Sequence, residues 1–113
     1  MTKNTKYDFY CEEALSGKTP IKKLYESKTV LAFHHTKPSY EVHVVIIPKE
    51  HIPSLLDISD QHNKIVSEIF AVARDIAKTM NYKKKGVKLF SNLGKFQDSP
   101  HLHFHLVQGK KIK

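Results

Sequence analysis

The stretch His101-Leu102-His103-Phe104-His105-Leu106-Val107 alternates histidine with bulky apolar residues. A repeat of two residues is typical of a β-strand, because successive side chains of a strand point to opposite faces of its sheet. The pattern predicts that the three imidazoles lie on one face and that Leu102, Phe104 and Leu106 enter a core on the other. Histidine is not a residue that strands favour, so three rings in strict alternation indicate a role with protons, a metal or phosphate.

The apolar pattern before this strand predicts six further elements. In chain order they are a short helical turn at 9–15, a hairpin of two strands at 21–25 and 29–34, a central strand at 42–47, a long amphipathic helix at 59–80 and a strand at 87–91. The helix follows from apolar residues that recur at steps of three and four, with Ser59 as its N-cap. Five strands and one long helix predict an α+β fold with a mainly antiparallel sheet.

The length of 113 residues fits one domain. We expect a single domain over 1–113, with flexible tails at 1–8 and 109–113. Cys11 is the only cysteine, which excludes an intrachain disulfide. No run approaches the ~18 apolar residues of a membrane helix, and the first residues lack the apolar core of a signal peptide. We therefore expect a cytoplasmic protein.

The formal net charge of +8 at pH 7 concentrates anions near the surface. Phosphorylated small molecules, nucleic acids and acidic membranes are all compatible with such a charge. The sequence contains no recognisable nucleic-acid motif and no stripe of alternating aromatic and basic residues. We therefore expect a small phosphorylated partner, and neither a nucleic acid nor a membrane.

Two chemistries suit the three alternating histidines. Three such residues extend over ~13 Å, too far to converge easily on one ion. A metal site would need two of them and a further ligand, from the set His51, His43, Cys11, and His34 or His35. Phosphate chemistry fits the linear array better, because a neutral imidazole is a nucleophile near pH 7 and its neighbours can donate protons.

The alternating stretch resembles the signature of the histidine-triad (HIT) superfamily. The resemblance continues in Gln97-Asp98-Ser99-Pro100 before the triad and in Asn92 at the end of the preceding strand. The segments 30–34 and 43–52 resemble the two central β segments of the family, and the order fits over 9–108. In its short length the chain resembles the Hint-like branch of this family, whose members are small homodimeric nucleoside phosphoramidate hydrolases.

This resemblance implies a HIT-like fold that dimerises, with a five-stranded sheet, one long helix and a short N-terminal helix. It also implies hydrolysis of a purine nucleoside monophosphate conjugate with no metal or cofactor. His103 would take the nucleotidyl group, and His105 would contact the phosphate and protonate the leaving group. His101 would orient the array, and His43 would act as a proton-relay partner.

The resemblance further implies a set of nucleotide-binding residues. On the phosphate and leaving-group side these are Asn92, Gln97, Asp98 and Ser99. Around the nucleoside they are Phe33, His34, His35, Thr36 and Val45. Phe33 and Val45 equally fit a plain role in the core.

The sequence departs from the family pattern at several positions. His35 stands where Hint-like proteins often carry an acidic residue for the ribose hydroxyls, and Asp98 stands where Ser or Thr is common. Asp8 and Cys11 lie where some bacterial relatives carry a zinc-binding cysteine pair, so we expect no complete site of that kind. Whether Cys11 and His51 bind a metal stays open.

Three alternatives to a hydrolase remain at this point. A nucleotide-binding adaptor would need the pocket but not the covalent intermediate. A metal-binding protein would use the histidines as ligands. A basic nucleic-acid module would use the positive charge.

Overall fold

The sheet is antiparallel throughout in the computed structural model, which describes residues 7–113. Its strands are β1 (Lys23–Glu26), β2 (Val30–His34), β3 (Tyr40–Pro48), β4 (Lys88–Phe90) and β5 (Phe104–Lys111). They lie in the order β1-β2-β3-β5-β4. The predicted α+β fold with a five-stranded antiparallel sheet is confirmed.

The helical segments begin and end differently from the prediction. Ser59 precedes a 3-10 turn, Asp60–His62, and the long helix α1 covers Asn63–Lys78. The turn forms because the Ser59 backbone N–H donates to Nδ1 of His62 (3.0 Å), so Ser59 caps this turn and not α1. After α1, Asn81 adopts a positive φ of 51° and starts the short helix α2 (Tyr82–Lys85). The predicted N-terminal turn is a π-helical turn, Tyr10–Ala14.

Apolar residues cover both faces of the sheet. Helix α1 packs on one face, where Ile69 and Val72 meet alternate residues of the strands and Leu102. The N-terminal turn packs on the other face, where Tyr10 and Ala14 meet a second cluster that includes Ile47. The central strand β3 is therefore buried on both sides, as its continuous apolar run predicts.

The histidine stretch enters the sheet later than predicted. β5 begins at Phe104, whose partner in β3 is Ile46. The preceding three residues lie beyond the ladder, where the Leu102 N–H donates to the Ile52 carbonyl (2.6 Å). At its other end β5 continues to Lys111, so it includes part of the segment expected to be a flexible tail. Across residues 7–113, none of the helices combines the length and the apolar character needed to span a membrane.

Candidate active site

The side chains of the histidine stretch alternate as predicted. Leu102, Phe104 and Leu106 join the core beneath α1. The imidazoles lie on the other face, where the Tyr10 ring of the N-terminal turn lies 5.7 Å from the ring of His101 and 4.9 Å from that of His103, while His105 packs against Phe90. All three histidines are less than 10% exposed. The array is therefore an enclosed group of rings.

His103 is held in one tautomer by the main chain. Its Nδ1 lies 2.6 Å from the backbone carbonyl oxygen of His101. A carbonyl oxygen only accepts, so Nδ1 carries the proton and Nε2 keeps its lone pair. Burial lowers the pKa of His103, and this outweighs the opposite effect of that hydrogen bond. His103 is thus a neutral imidazole with a free nucleophilic nitrogen.

His43 and His105 form a directed pair. The Ser39 backbone N–H donates to Nδ1 of His43 (2.9 Å), so the proton of His43 is on Nε2. That N–H donates to Nδ1 of His105 (2.8 Å), which leaves the proton of His105 on Nε2. Nε2 of His105 is buried and has no hydrogen-bond partner among the described residues. The pair therefore presents one unused N–H beside the ring of His103, whose centroid lies 4.9 Å away.

Burial keeps this group of rings neutral. It lowers the pKa of His43 to about 4, with the charges of His35 and His103 acting in the same direction. It lowers the pKa of His105 to about 3, and the neighbouring imidazoles add to that effect. The pKa of His35 is also lowered, chiefly by burial. At pH 7 these rings are therefore neutral, and each can donate one hydrogen bond and accept another.

His35 packs beside the directed pair. Its ring stacks on that of His105 at 6.2 Å and lies 4.5 Å from that of His43. Nitrogens of these three histidines are close enough to share an ion. However, the Lys37 backbone N–H occupies Nδ1 of His35 (2.9 Å), as Ser39 occupies Nδ1 of His43. Because both rings then carry their proton on Nε2, this group favours proton relay over metal ligation.

A second cluster joins His101 to the N-terminal turn. Oδ2 of Asp8 lies 2.7 Å from Nδ1 of His51 and 3.1 Å from Nδ1 of His101. Oδ1 of Asp8 accepts the backbone N–H groups of Tyr10 and Cys11. Burial opposes the charge of the Asp8 carboxyl, but hydrogen bonds from the Cys11 thiol and the Cys11 backbone N–H, together with His101, outweigh it and lower the pKa. Asp8 therefore ties the N-terminal turn to the first histidine of the array.

The same cluster has the donor atoms of a metal site. Four donor atoms lie within 4.8 Å of one another: a carboxylate oxygen of Asp8, the sulfur of Cys11, and one imidazole nitrogen each of His51 and His101. Nε2 of His101 faces the Pro48 carbonyl oxygen (2.8 Å), an arrangement that supports ligation through Nδ1. The set fits a four-coordinate ion such as zinc, with Asp8 as a carboxylate ligand. Without an ion, burial and Asp8 raise the pKa of the Cys11 thiol to about 12, so it stays protonated.

A cavity of about 410 Å³ lies next to the buried histidines; within residues 7–113, His35 is the one histidine in its lining, and Tyr10 connects the lining to His103. Five of the residues expected to bind nucleotide line it: Phe33, His35, Thr36, Asp98 and Ser99. Four residues not singled out from the sequence also line it: Tyr7, Phe9, Tyr10 and Lys37. The sequence signal for Tyr7, Phe9 and Tyr10 is that three aromatic residues lie close together just before Cys11. This segment is too short for a helical periodicity to predict which way their side chains point.

The remaining expected binding residues lie outside this lining. Val45 is fully buried and pairs with His105 across the sheet, so it is a core residue. His34 is exposed at the end of β2. The Gln97 side-chain amide donates to the carbonyl oxygens of Pro53 (2.7 Å) and Ser99, which fixes the loop that enters the triad. Asn92 follows β4 and is partly exposed.

The family model described as the HIT domain matches residues 16–112. The chain belongs to the HIT domain family. A histidine triad protein from Clostridium difficile is 36% identical, with a TM-score of 0.78 over 94% of this chain and 93% of that one. A HIT family hydrolase from Legionella pneumophila is 28% identical, with a TM-score of 0.80 over 95% and 96%.

A purine nucleoside phosphoramidase of Escherichia coli K12 is also similar. It is 30% identical over 91 residues, which cover 79% of this chain and 76% of that protein. This HIT chain therefore shares its fold with a HIT family hydrolase and is 30% identical to a phosphoramidase over most of its length. The buried histidines and the adjoining cavity are therefore the candidate active site for a hydrolytic reaction.

Proposed function

We propose that this HIT protein cleaves a purine nucleoside monophosphate from an amine or a similar leaving group through a nucleotidyl-His103 intermediate. One observation carries the proposal: Nε2 of His103 has a free lone pair, while Nε2 of His105 carries a proton with no partner among residues 7–113. A nucleophile and an acid thus stand side by side. The similarity to the purine nucleoside phosphoramidase supports the choice of substrate.

In the first step, Nε2 of His103 bonds to phosphorus as the bond from phosphorus to the leaving nitrogen breaks. The leaving nitrogen takes the Nε2 proton of His105, which leaves the hydrogen-bonded His43–His105 pair with one shared proton and one negative charge. The nucleotidyl-imidazole of His103 is then positively charged, because its Nδ1 keeps its proton. That charge stabilises the neighbouring pair while it is one proton short.

In the second step, water attacks phosphorus and the bond to His103 breaks. His103 leaves as a neutral imidazole, which makes it a good leaving group. The proton of the attacking water goes to Nε2 of His105 and restores the pair. Across both steps one water is consumed, and the nucleoside monophosphate and the amine are released.

Asp98 and Ser99 line the cavity and belong to the loop that directly precedes the triad. The phosphate of the substrate would therefore lie on their side of the cavity. The Ser99 hydroxyl accepts the Phe9 backbone N–H (3.1 Å), which leaves its own O–H available as a donor. Phe33 and Tyr10 provide apolar walls for a base. If an ion occupies the Asp8 cluster, it would strengthen the anchoring of His101 and take no part in the bond changes.

The test is a rapid-quench experiment with adenosine 5′-phosphoramidate substrates. In the wild type we expect a protein species whose mass is increased by the nucleotidyl group on His103. His103→Ala should abolish both this species and turnover, while its melting temperature shows whether the fold is kept. Turnover by a folded His103→Ala protein would remove His103 from the role of nucleophile.

We also propose a homodimer and a cytoplasmic location. The dimer is supported by an apolar surface on α1 and β4, where Phe70 is 48% exposed and Leu89 is 38% exposed. A cavity of about 610 Å³ on this surface is lined by Ala73, Ala77 and Val87, among others. β4 is also an edge strand of only three residues, whose outer side has no strand partner within residues 7–113. Exposed apolar patches of this kind mark protein interfaces.

A further inference from the structure

The positive charge of the chain is concentrated in its C-terminal part. Residues 82–113 contain eight lysines and one acidic residue, Asp98. Residues 1–81 contain eleven basic and ten acidic residues, which nearly balance. Almost all of the net charge of +8 therefore comes from the segment that forms α2, β4 and β5.

Folding collects five of these lysines at one end of the sheet. We call them the basic end: Lys83, Lys84 and Lys85 of α2, and Lys110 and Lys111 of β5. All five are exposed. The Gln108 side-chain amide joins the two elements, because it donates to the carbonyl oxygens of Gly86 (3.1 Å) and Met80. The lysines are thus brought together by the tertiary structure from positions 25 residues and more apart.

A groove runs between the two groups of lysines. Its cavity of about 480 Å³ is lined by Lys85 on one side and by Gly109 and Lys110 on the other. Glu41 is the one carboxylate in this lining, and it already accepts the Lys110 backbone N–H (3.1 Å). Within residues 7–113, none of the five lysines forms an ion pair. Their charges are therefore available to a partner.

The sequence contains no nucleic-acid motif and predicted no such partner, but from the folded arrangement of these lysines we propose that the basic end binds the phosphate backbone of a nucleic-acid strand. Lysines bind backbone phosphates by charge and release the counterions of the strand, which makes them the usual source of affinity that is independent of sequence. A strand that follows the groove meets Lys85 and Lys110 from two sides, whereas a flat membrane surface would meet only the rims. The surface shares no residue with the cavity beside His103, so it goes beyond the proposed hydrolysis.

The test compares two triple variants with equal loss of charge. One removes charge from the basic end, as Lys84→Gln, Lys85→Gln and Lys110→Gln. The matched control removes it from exposed lysines of the N-terminal half, as Lys18→Gln, Lys22→Gln and Lys28→Gln. Binding is measured by fluorescence anisotropy of a labelled single strand of about 12 nucleotides, a length that one small domain can cover.

We expect the basic-end variant to bind at least ~10-fold more weakly at low salt, and the control to change by ~2-fold or less. The slope of log affinity against log salt should become shallower by about 2 in the basic-end variant, since each phosphate contact on a single strand contributes about 0.7. The single variants Lys84→Gln and Lys110→Gln should each reduce the slope by about 0.7. Melting temperature and phosphoramidate hydrolysis, measured on every variant, show that the fold is intact.

Three results would overturn the inference. Equal losses in the two triple variants would mean that total charge matters and its place does not. Absence of measurable binding by the wild type at low salt would exclude a nucleic-acid partner. Lysine-dependent binding to phosphatidylserine vesicles that displaces the strand would assign the surface to a membrane instead. None of these results depends on whether His103 forms a covalent intermediate.

Discussion

At the residue scale, main-chain groups set the chemistry of the histidines. The His101 carbonyl oxygen fixes the proton of His103, and the Ser39 N–H fixes that of His43. Because His43 in turn donates to His105, the Ser39 N–H also fixes the proton of His105. The free lone pair and the unused N–H of the site therefore result from backbone positions. Replacing a ring changes the chemistry directly, while moving either backbone segment would change it without altering any of the three rings.

The lowered pKa values predict an unusual acid limb in the pH profile. A free histidine has a pKa of about 6.5, whereas burial gives His43 a pKa of about 4 and His105 one of about 3. The rings therefore stay neutral as the pH falls through 6.5, and protonation removes the nucleophile and the relay only below it. We expect kcat/KM, measured from pH 4 to 8, to decline with an apparent pKa below 6.5. A decline centred at 6.5 or above would contradict this electrostatic description.

Two substitutions of His43 separate the relay from simple packing. His43→Ala removes the N–H that donates to His105, so Nε2 of His105 is no longer held as the protonated atom. We expect kcat for a phosphoramidate to fall by ~10²-fold, the lower range for loss of acid–base assistance. His43→Gln keeps an N–H donor of similar length and should lose less. Equal losses in the two variants, with intact folding, would show that the donor has no special role.

At the element scale, the start and end of β5 are determined by different contacts. Its start is delayed because Leu102 bonds to Ile52 outside the ladder, and this places His101 next to Asp8. Near its other end the register with β3 shifts between Gln108 and Lys111, and Gly109 within this irregular part has a φ of 84°. A Cβ atom at this position would lie 2.9 Å from Cβ of Glu41 and closer still to its carboxylate. The pairing of β5 with β3 thus requires glycine at position 109, both for its backbone conformation and because Glu41 of β3 approaches so closely.

Gly109→Ala is expected to destabilise the protein by about 2 kcal/mol or more. An alanine with this φ costs about 1–2 kcal/mol, and the contact with Glu41 adds to that cost. Gly17→Ala is the matched control, since Gly17 has a φ of 85° but nothing within 4 Å of its added Cβ. Urea unfolding of both variants measures the difference. Equal losses would mean that the approach of Glu41 has no energetic effect.

At the scale of the whole molecule, the sheet separates two layers with different tasks. Helix α1 covers one face and completes the main core. The N-terminal turn covers the other face and, through Tyr10 and Asp8, encloses the histidines. The apolar surface of α1 and β4 belongs to the α1 layer and lies next to the sheet edge formed by β4. This arrangement leaves one surface free for a second copy while the cavity is built by a single chain.

The proposed dimer predicts the effect of charge at that surface. Phe70→Lys or Leu89→Lys would place a buried ammonium in the interface, which is costly unless it is paired. We expect either variant to shift the species measured by light scattering from two chains to one. Lys64→Glu, an exposed substitution near the start of α1, is the control and should leave the mass unchanged. A wild type that is monomeric at high concentration would refute the dimer.

Much of the fold could be predicted because local patterns carry it. The alternation at 101–107 correctly placed Leu102 and Phe104 in the core, and the continuous run at 42–47 correctly predicted a strand covered on both faces. Helix boundaries were less accurate. Ser59 has the features of an N-cap, yet its hydrogen bond to His62 makes it the start of a 3-10 turn. Whether Ser59 caps α1 or the 3-10 turn before it depends on how this segment packs against the rest of the molecule. The periodicity of apolar residues in the sequence contains no information on that packing.

The sequence by itself determined the chemistry that is available: a row of imidazoles on one face, the HIT pattern around it and the excess of lysines. Only the tertiary structure decided which nitrogens are protonated, that Asp8 meets His101 and His51, and that Tyr7, Phe9, Tyr10 and Lys37 close the cavity. It also decided that Lys85 of α2 and Lys110 of β5 share one groove. The physical reason is that periodicity reports the environment of neighbouring residues, whereas hydrogen bonds and charges act between groups that only folding brings together.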